Sequence, residues 1–523
     1  MRFETIIKNG TVVDGLGNSE RLADVGLAGG EIKAVGNLSR ARAKRVLDAS
    51  GKIVCPGFID AQNHSDSYLT LLEMPAAESL VSQGITTIAV GQCGSSLSPL
   101  ATPDALKSIQ KWHSLSGANL NWLSFEEYFE ALKRYPLGVN VASLVGHSTI
   151  RRGLIGDQVR AANPEELAVM KKMIADSLDA GSVGVSLGLV YAHESSASRE
   201  ELVSAANETA RADKLYSVHL RSEGAQVVEA LREALSLALE AKARLKISHF
   251  KIRGEKNWGY LEEALSLVDH AYQQGLDVRF DVYPYTTSWT VLYTYLPKWA
   301  YEGGRKDTLR NLSDPTARRK ILDYLKASEQ DLGSIFIATS DANPALVGKT
   351  IHQIAANQEI STEEALLNAV EATETQVVVF DRNLSREGLI ELLKHPLSIV
   401  ATDGAGYDYK FHPLHGLVHP RCFGAMPRFL SEVRDNRLMS WPEAVKKITS
   451  APARVLGIKD RGRLTAGSPA DAVVFDPEHV GSRASYENPY QAPDGIEHVF
   501  VNGELIVSQS DPPNPPAGRL LRI

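Results

Sequence analysis

The sequence predicts a (β/α)8 barrel, a TIM-like α/β fold, joined to a small β-rich domain built from both chain ends. Three observations lead there: about eight short apolar runs alternate with helix-like stretches, both termini read as strands and turns, and ligand-type side chains stand where the apolar runs end. A doubly wound open sheet competes, but no G-x-G-x-x-G follows the first apolar run to support it.

The first segment begins MRFETIIKNGTVVDG, which alternates as a strand does, with turn signals at Asn9-Gly10, Gly29-Gly30 and Ser50-Gly51. The last segment has the same texture in GRLTAGSPADAVVFD and IEHVFVNGELIVS, with Asn502-Gly503 as a hairpin turn. Residues 1–54 and 455–523 are therefore expected to form one small β-sandwich. The Pro-rich DPPNPPAG near the end reads as extended or loose.

Residues 55–454 carry the barrel. The buried-strand candidates are KIVCPGFIDAQ, GITTIAVGQ, VNVASLVGH, SVGVSLGL, LYSVHLR, RLKISHFK, LDVRFDVYPY and PLSIVATDG, separated by helical stretches such as PEELAVMKKMIADSLDAG. Between Tyr285 and Ser398 the connection is far longer than a βα loop, so about 287–390 is expected to be an insertion acting as a cap. Its aromatic-rich start, TSWTVLYTYLPKWAYEGG, follows the carboxyl end of the seventh strand, the face on which such barrels build their sites.

Composition narrows the function. With 523 residues, a net charge of −7 and 3 cysteines, the chain is neither a disulfide scaffold nor an electrostatic match for nucleic acid or an anionic membrane. No basic stretch leads into an apolar one at the start, and no apolar run reaches the roughly 18–20 residues of a membrane span. A cytoplasmic protein with a small-molecule substrate is expected; the oligomeric state is open. Cys55, Cys93 and Cys422 form no C-x-x-C pair, which excludes zinc-ribbon and thioredoxin readings.

Asp60, His64, Cys93, His147, His219, His249 and Asp403 fall at the ends of predicted strands and would converge on one rim. A cysteine thiolate with two imidazoles is a reasonable three-ligand set for Zn²⁺, leaving a fourth position for water or substrate. Cys93 sits in GQCGSS, a tight loop of small residues, whereas Cys55 and Cys422 read as core residues.

These pieces resemble the N-acyl-D-amino-acid deacylases (D-aminoacylases) of the amidohydrolase superfamily. The resemblance covers nearly the whole chain, through PGFIDAQNHSD (56–66), GITTIAVGQCGSSLSPL (84–100), VASLVGHSTIR (141–151), GSVGVSLGLVY (181–191), YSVHLRSEG (216–224), ISHFKIRG (247–254), DVYPY (281–285), ATDG (401–404), HPR (419–421) and DRGRLTAGSPADAVVFDPEHV (460–480). It implies a metal-dependent hydrolase barrel with zinc on Cys93, His219 and His249. Asp403 would take a proton from the attacking water and return it to the leaving amine. Lys251 and Tyr283 match family positions that hold the substrate carboxylate. Arg221, two residues after His219, is expected to project beside the ligands; Tyr191 and His147 are further substrate-contact candidates.

The chain also departs from the family pattern. Where the first strand normally ends in H-x-H, this chain has Gln62 and keeps only His64, so a second metal position should be damaged and one zinc per chain is expected. His64 remains a candidate metal contact. TTSWT brings Trp289 near a position where the family uses a small residue, and Phe250 and Ser222 replace more usual polar or acidic neighbours. The resemblance thus points to hydrolysis of N-acyl-D-amino acids, with another N-acyl or cyclic amide as the alternative substrate. A non-catalytic binding homologue is the reading from another class. Against hydantoin-type chemistry, no lysine suited to bridging stands at the end of the fourth strand, where the chain reads SLGL.

Overall fold

Along the chain, period-2 alternation gives way to short runs buried on both faces, and the architecture follows that change. The computed structural model describes residues 2–102, 105–106, 120–156, 158–328, 330–410, 416–508 and 515–523. Five strands come first: β1 (Arg2–Val12), β2 (Arg21–Ala28), β3 (Glu31–Gly36), β4 (Arg42–Asp48) and β5 (Ile53–Pro56). Eight more follow: β6 (Phe58–Asp60), β7 (Ile85–Val90), β8 (Asn140–Ser143), β9 (Val145–Gly146), β10 (Gly184–Gly188), β11 (Leu215–His219), β12 (Arg244–Ile247) and β13 (Val278–Val282). An inserted sheet supplies β14 (Ser288–Val291), β15 (Phe336–Thr339) and β16 (Val378–Asp381). Then come β17 (Ser398–Val400), β18 (Ala472–Phe475), β19 (Ile496–Val501) and β20 (Glu504–Ser508).

Parallel pairing runs from β6 through β7 to β8, and from β9 through β10, β11, β12 and β13 to β17. Only Leu144 separates β8 from β9, and its N–H donates to Val90 O at 2.9 Å, so the two form one stave. The last seam is made beyond β6 and β17, where Asn63 bridges Gly404 in parallel and Asp403 N donates to Gln62 O at 2.9 Å. Eight parallel staves therefore close into a barrel. Its outer face is apolar, as with Tyr216, Val218, Ile247 and Phe280 in the main core, because helices cover it. Its lumen holds the buried polar residues Ser217, Lys246, Ser248 and Asp281, together with an apolar cluster of Ile59, Leu144, Leu215 and Ile399.

Both chain ends meet in an eight-stranded sheet of order β20-β19-β18-β5-β1-β2-β3, with β4 also on β1. The long β1 serves two partners, β4 through its first half and β5 through Thr11 and Val12, and the sandwich closes over Ile7, Val25, Leu27, Val474, Phe500 and Leu505. The Pro-rich tail is not loose where it is described. Residues 511–514 lie outside the described residues, but Gly518 N donates to Leu137 O at 2.7 Å and Arg519 O accepts from Val141 N at 2.8 Å. The chain passes so close to the barrel edge that a Cβ on Gly518 would lie 2.1 Å from Val139 O.

Within the insertion, β14, β16 and β15 form an antiparallel sheet with its own core around Leu292, Ile321, Ile337, Leu366 and Val379. The helix Arg386–Lys394 then rejoins the barrel core through Leu389, Leu392 and Leu393. Among the described residues, no helix is long and apolar enough to cross a membrane.

Candidate active site

Cys93 follows β7, His219 ends β11, His249 follows β12 and Asp403 follows β17, so each leaves a stave at its carboxyl end. Three of the four are held in the left-handed region, with φ of 52° at Cys93, 36° at His249 and 51° at Asp403. Non-glycine residues there cost free energy that surrounding contacts must offset, and such residues gather at functional sites. After Cys93 the chain turns through Gly94 at φ +79°, where a Cβ would lie 2.4 Å from Ser148 Oγ.

One donor atom each from Cys93, His219 and His249 lies within 4.8 Å of the others, and all three residues are buried. Cys93 Sγ is 3.3 Å from His249 Nε2 and 3.9 Å from His64 Nε2. Burial would push the thiol up, but His249, His219 and His64 outweigh it and hold Cys93 well below the usual thiol range. His219 is shifted down by burial and by the charge of His249, which favours the neutral ring; its Nδ1 is buried without a hydrogen-bond partner among the described residues. His249 Nδ1 lies 3.0 Å from Glu223 Oε1 and 2.9 Å from Lys251 Nζ, which leaves Nε2 as the ring nitrogen facing the sulfur. This donor set fits a soft-to-borderline divalent metal such as zinc.

Asp403 lies between two cations, with Oδ1 3.1 Å from His64 Nε2 and Oδ2 2.8 Å from Arg421 Nη1. Burial pushes its carboxyl up, but Arg421, His249 and His64 hold it well below the usual carboxylate range. His64 is correspondingly raised to about 10; burial opposes this, and Asp403 and Cys93 outweigh it. A cavity of about 40 Å³ opens onto these groups and is also lined by Tyr68, Tyr191, Glu223, Lys251, Arg253, Tyr283, Ser288 and Trp289. A larger one of about 320 Å³, beside Trp258 and Leu392, shares Lys251 and Tyr283 but contains none of the three donors.

Sequence-expected residues divide between this cavity and elsewhere. Lys251 reaches it, 2.5 Å from Glu223 and 2.9 Å from His249 Nδ1. The Tyr283 hydroxyl is buried there without a partner among the described residues. Tyr191 packs on His219 with ring centroids 5.3 Å apart, and Trp289 stacks on Tyr68 at 5.0 Å. Beside Trp289, Ser288 also faces the cavity, so a small hydroxyl residue is kept next to the tryptophan.

Arg221 does not reach the cavity. Strand alternation stops with β11 at His219, and the guanidinium turns to Glu233 at 2.9 Å and to the Ser195 carbonyl at 2.7 Å. His147 is likewise absent from the lining: fully buried, it bonds Glu194 at 2.5 Å with Glu201 3.4 Å away. Asp60 stays below the rim, tying β6 to the start of the Asp403 loop through Thr402 N at 2.9 Å and Thr402 Oγ1 at 2.5 Å. Cys55 and Cys422 are buried and separate from the donors.

Four participants escaped the sequence reading. Glu223 and Arg421 touch the site directly, and both lie in recognised stretches, SEG and HPR, that gave no sign of their partners. Lys246 and Asp281 lie under it, joined at 2.6 Å; their only sequence signal is a charged residue at the centre of an apolar run.

The Amidohydrolase family model matches residues 45–507, a span that takes in the whole barrel and the donors at its carboxyl rim. The chain is 35% identical to an N-acyl-D-glutamate deacylase of Alcaligenes xylosoxydans xylosoxydans, over 100% of this chain and 97% of that protein. Its fold matches a zinc- and phosphonate-bound N-acyl-D-glutamate deacylase from Bordetella bronchiseptica with a TM-score of 0.85 at 32% identity, covering both chains fully. It also matches a D-aminoacylase with a binuclear metal centre, with one-metal activation and second-metal attenuation, at TM-score 0.85 and 31% identity over both full chains. The chain belongs to the N-acyl-D-amino-acid deacylase (D-aminoacylase) family of amidohydrolases.

Proposed function

We propose that the protein hydrolyses the amide bond of N-acyl-D-amino acids to a carboxylate and a free D-amino acid, with one zinc ion held by Cys93, His219 and His249. The observation that carries this reading is the convergence of those three donors beside Asp403 at the barrel mouth. When bound, zinc supplies Lewis acidity toward the scissile carbonyl and lowers the pKa of water at its open position. Asp403 takes the proton of the attacking water and delivers it to the leaving amine, and His64 orients its carboxylate through Oδ1. Arg421, Lys251 and the Tyr283 hydroxyl bind the substrate carboxylate, while Trp289 and Tyr191 shape the walls. The D configuration rests on the activities of the relatives. A single ion is favoured because Gln62, a poor zinc ligand, stands where the family has the first histidine of H-x-H.

The test is metal analysis of the purified protein followed by assay of paired N-acyl-D- and N-acyl-L-amino acids. About one zinc per chain with turnover of D substrates only is the expected result. No bound or restorable metal, or no turnover of any N-acyl-amino acid by the loaded protein, overturns the reading.

A further inference from the structure

Lys246 projects from β12 into the lumen, and neither it nor Asp281 on β13 is exposed. Its ammonium has three acceptors: Asp281 Oδ2 at 2.6 Å, Gln62 Oε1 at 2.5 Å and Ser248 Oγ at 3.5 Å. Because an ammonium only donates, it fixes the Gln62 amide with oxygen inward, which turns the NH2 group outward. That Nε2 lies 3.2 Å from Cys93 Sγ and donates to it. The other oxygen of Asp281 accepts from the backbone N–H of His249 at 2.8 Å, and Phe250 N donates to the Asp281 carbonyl at 2.8 Å. One ion pair thus reaches both the sulfur and the strained backbone of an imidazole donor. A buried ion pair is weak evidence for stability and is better explained by what it specifies.

We infer that the Lys246–Asp281 pair is a positioning unit that replaces a second metal ion: it holds Cys93 through Gln62 and His249 through its backbone, and the Lys246 ammonium, the end of the pair that meets Gln62, closes the second metal position. The inference rests on the single-zinc reading above. Gln62 alone only removes a ligand from that position. Lys246 adds a fixed positive charge beneath it, so restoring histidine at residue 62 without removing the lysine leaves the position repulsive.

The experiment measures zinc stoichiometry and affinity, by elemental analysis and chelator competition, for the full-length wild type, Q62H, K246Q, K246R, K246Q/D281N and Q62H/K246Q. K246Q leaves Asp281 buried and uncompensated, so K246Q/D281N supplies a neutral pair if the single variant does not fold. Expected is one zinc in wild type and in Q62H, and two in Q62H/K246Q. Affinity should fall about 10- to 100-fold in K246Q/D281N, as loss of groups that support metal ligands typically causes, and K246R should recover most of it. In cobalt-loaded protein, loss of the Gln62 donor should move the sulfur-to-metal charge-transfer band to lower energy, which a merely structural role would not do. Unchanged affinity and band position in K246Q/D281N, or two ions in Q62H alone, overturns the inference. Two ions in wild type overturns the single-zinc reading on which it stands.

Discussion

Arg421 Nη1 lies 2.8 Å from Asp403 Oδ2, with both side chains buried and the guanidinium stacked over Tyr283 and Trp289 at 4.7 and 5.3 Å. The proposed proton acceptor is therefore paired with the cation best placed to bind a substrate carboxylate. A bound carboxylate shares Arg421 and weakens its hold on Asp403, so binding at one end of the substrate raises basicity at the other.

That coupling predicts two effects of Arg421→Met. Losing a charge-assisted hydrogen bond, worth about 1.5–3 kcal/mol, should lower kcat/KM about 10- to 100-fold, mainly through KM. Because Arg421 depresses the Asp403 carboxyl, its removal raises that pKa, and the acidic limb of the kcat/KM profile should move to higher pH. Steady-state kinetics across pH checks both effects; an unmoved limb would show that Arg421 does not control the base.

Asp403→Asn keeps the shape and removes the proton acceptor. Turnover should fall by roughly 10²- to 10⁴-fold, the range of a positioned acid–base group, while zinc per chain stays at the wild-type value. Elemental analysis alongside kcat separates this outcome from simple loss of metal.

Arg221 and Lys251 each stand two residues after a donor histidine, yet only Lys251 reaches the cavity. Lys251→Met should raise KM at least tenfold. Arg221→Met should leave KM within about twofold of wild type and cost no more than about 1 kcal/mol of stability, since its pair with Glu233 is partly exposed. A comparable KM rise in both would contradict the placement of Arg221.

The Trp289 ring, stacked on Tyr68 and near Phe380 and His419, restricts a cavity of only about 40 Å³. Trp289→Ala should raise the ratio of kcat/KM for bulky over small N-acyl substrates and cost about 3–5 kcal/mol of stability. An unaltered ratio in a substrate panel would remove Trp289 from the specificity wall.

Sequence patterns revealed what depends on local chain chemistry. The eight staves were legible because runs such as Ile85–Val90 are buried at every position, which leaves an unbroken apolar signature. Cys93, His219, His249 and Asp403 were legible because each stands where such a run stops. Contacts across the lumen were not legible, since nothing in RLKIS says that Lys246 faces Asp281 and Gln62 rather than solvent. Arg221 departs from its expected place for a related reason: strand alternation does not extend past His219, where β11 ends. His147 shows the limit of the rim argument, because a histidine at a strand end can be consumed by buried carboxylates such as Glu194.

Asp60 offers a pH test away from the donor cluster. It joins β6 to the segment after β17 through Thr402 and also accepts from Asn63 just beyond β6, and burial raises its carboxyl to about 6 despite those hydrogen bonds. An acid whose folded pKa exceeds its unfolded value, about 3.9, keeps its proton on folding between the two. Over that window the native state binds more protons than the unfolded one, so this residue lowers stability as pH rises from about 4 to about 6. The full cost, about 3 kcal/mol at 1.36 kcal/mol per unit, is present above pH 6. Asp60→Asn cannot titrate. It loses acceptors for Thr402 and Asn63 and should be less stable than wild type at pH 4.5, but the gap should narrow by pH 7, where wild type carries its buried charge. Denaturant midpoints of both proteins at the two pH values measure the gap. A gap that stays constant would mean that Asp60 does not change protonation in this window, and that its hydrogen bonds to the Asp403 loop hold it ionised throughout.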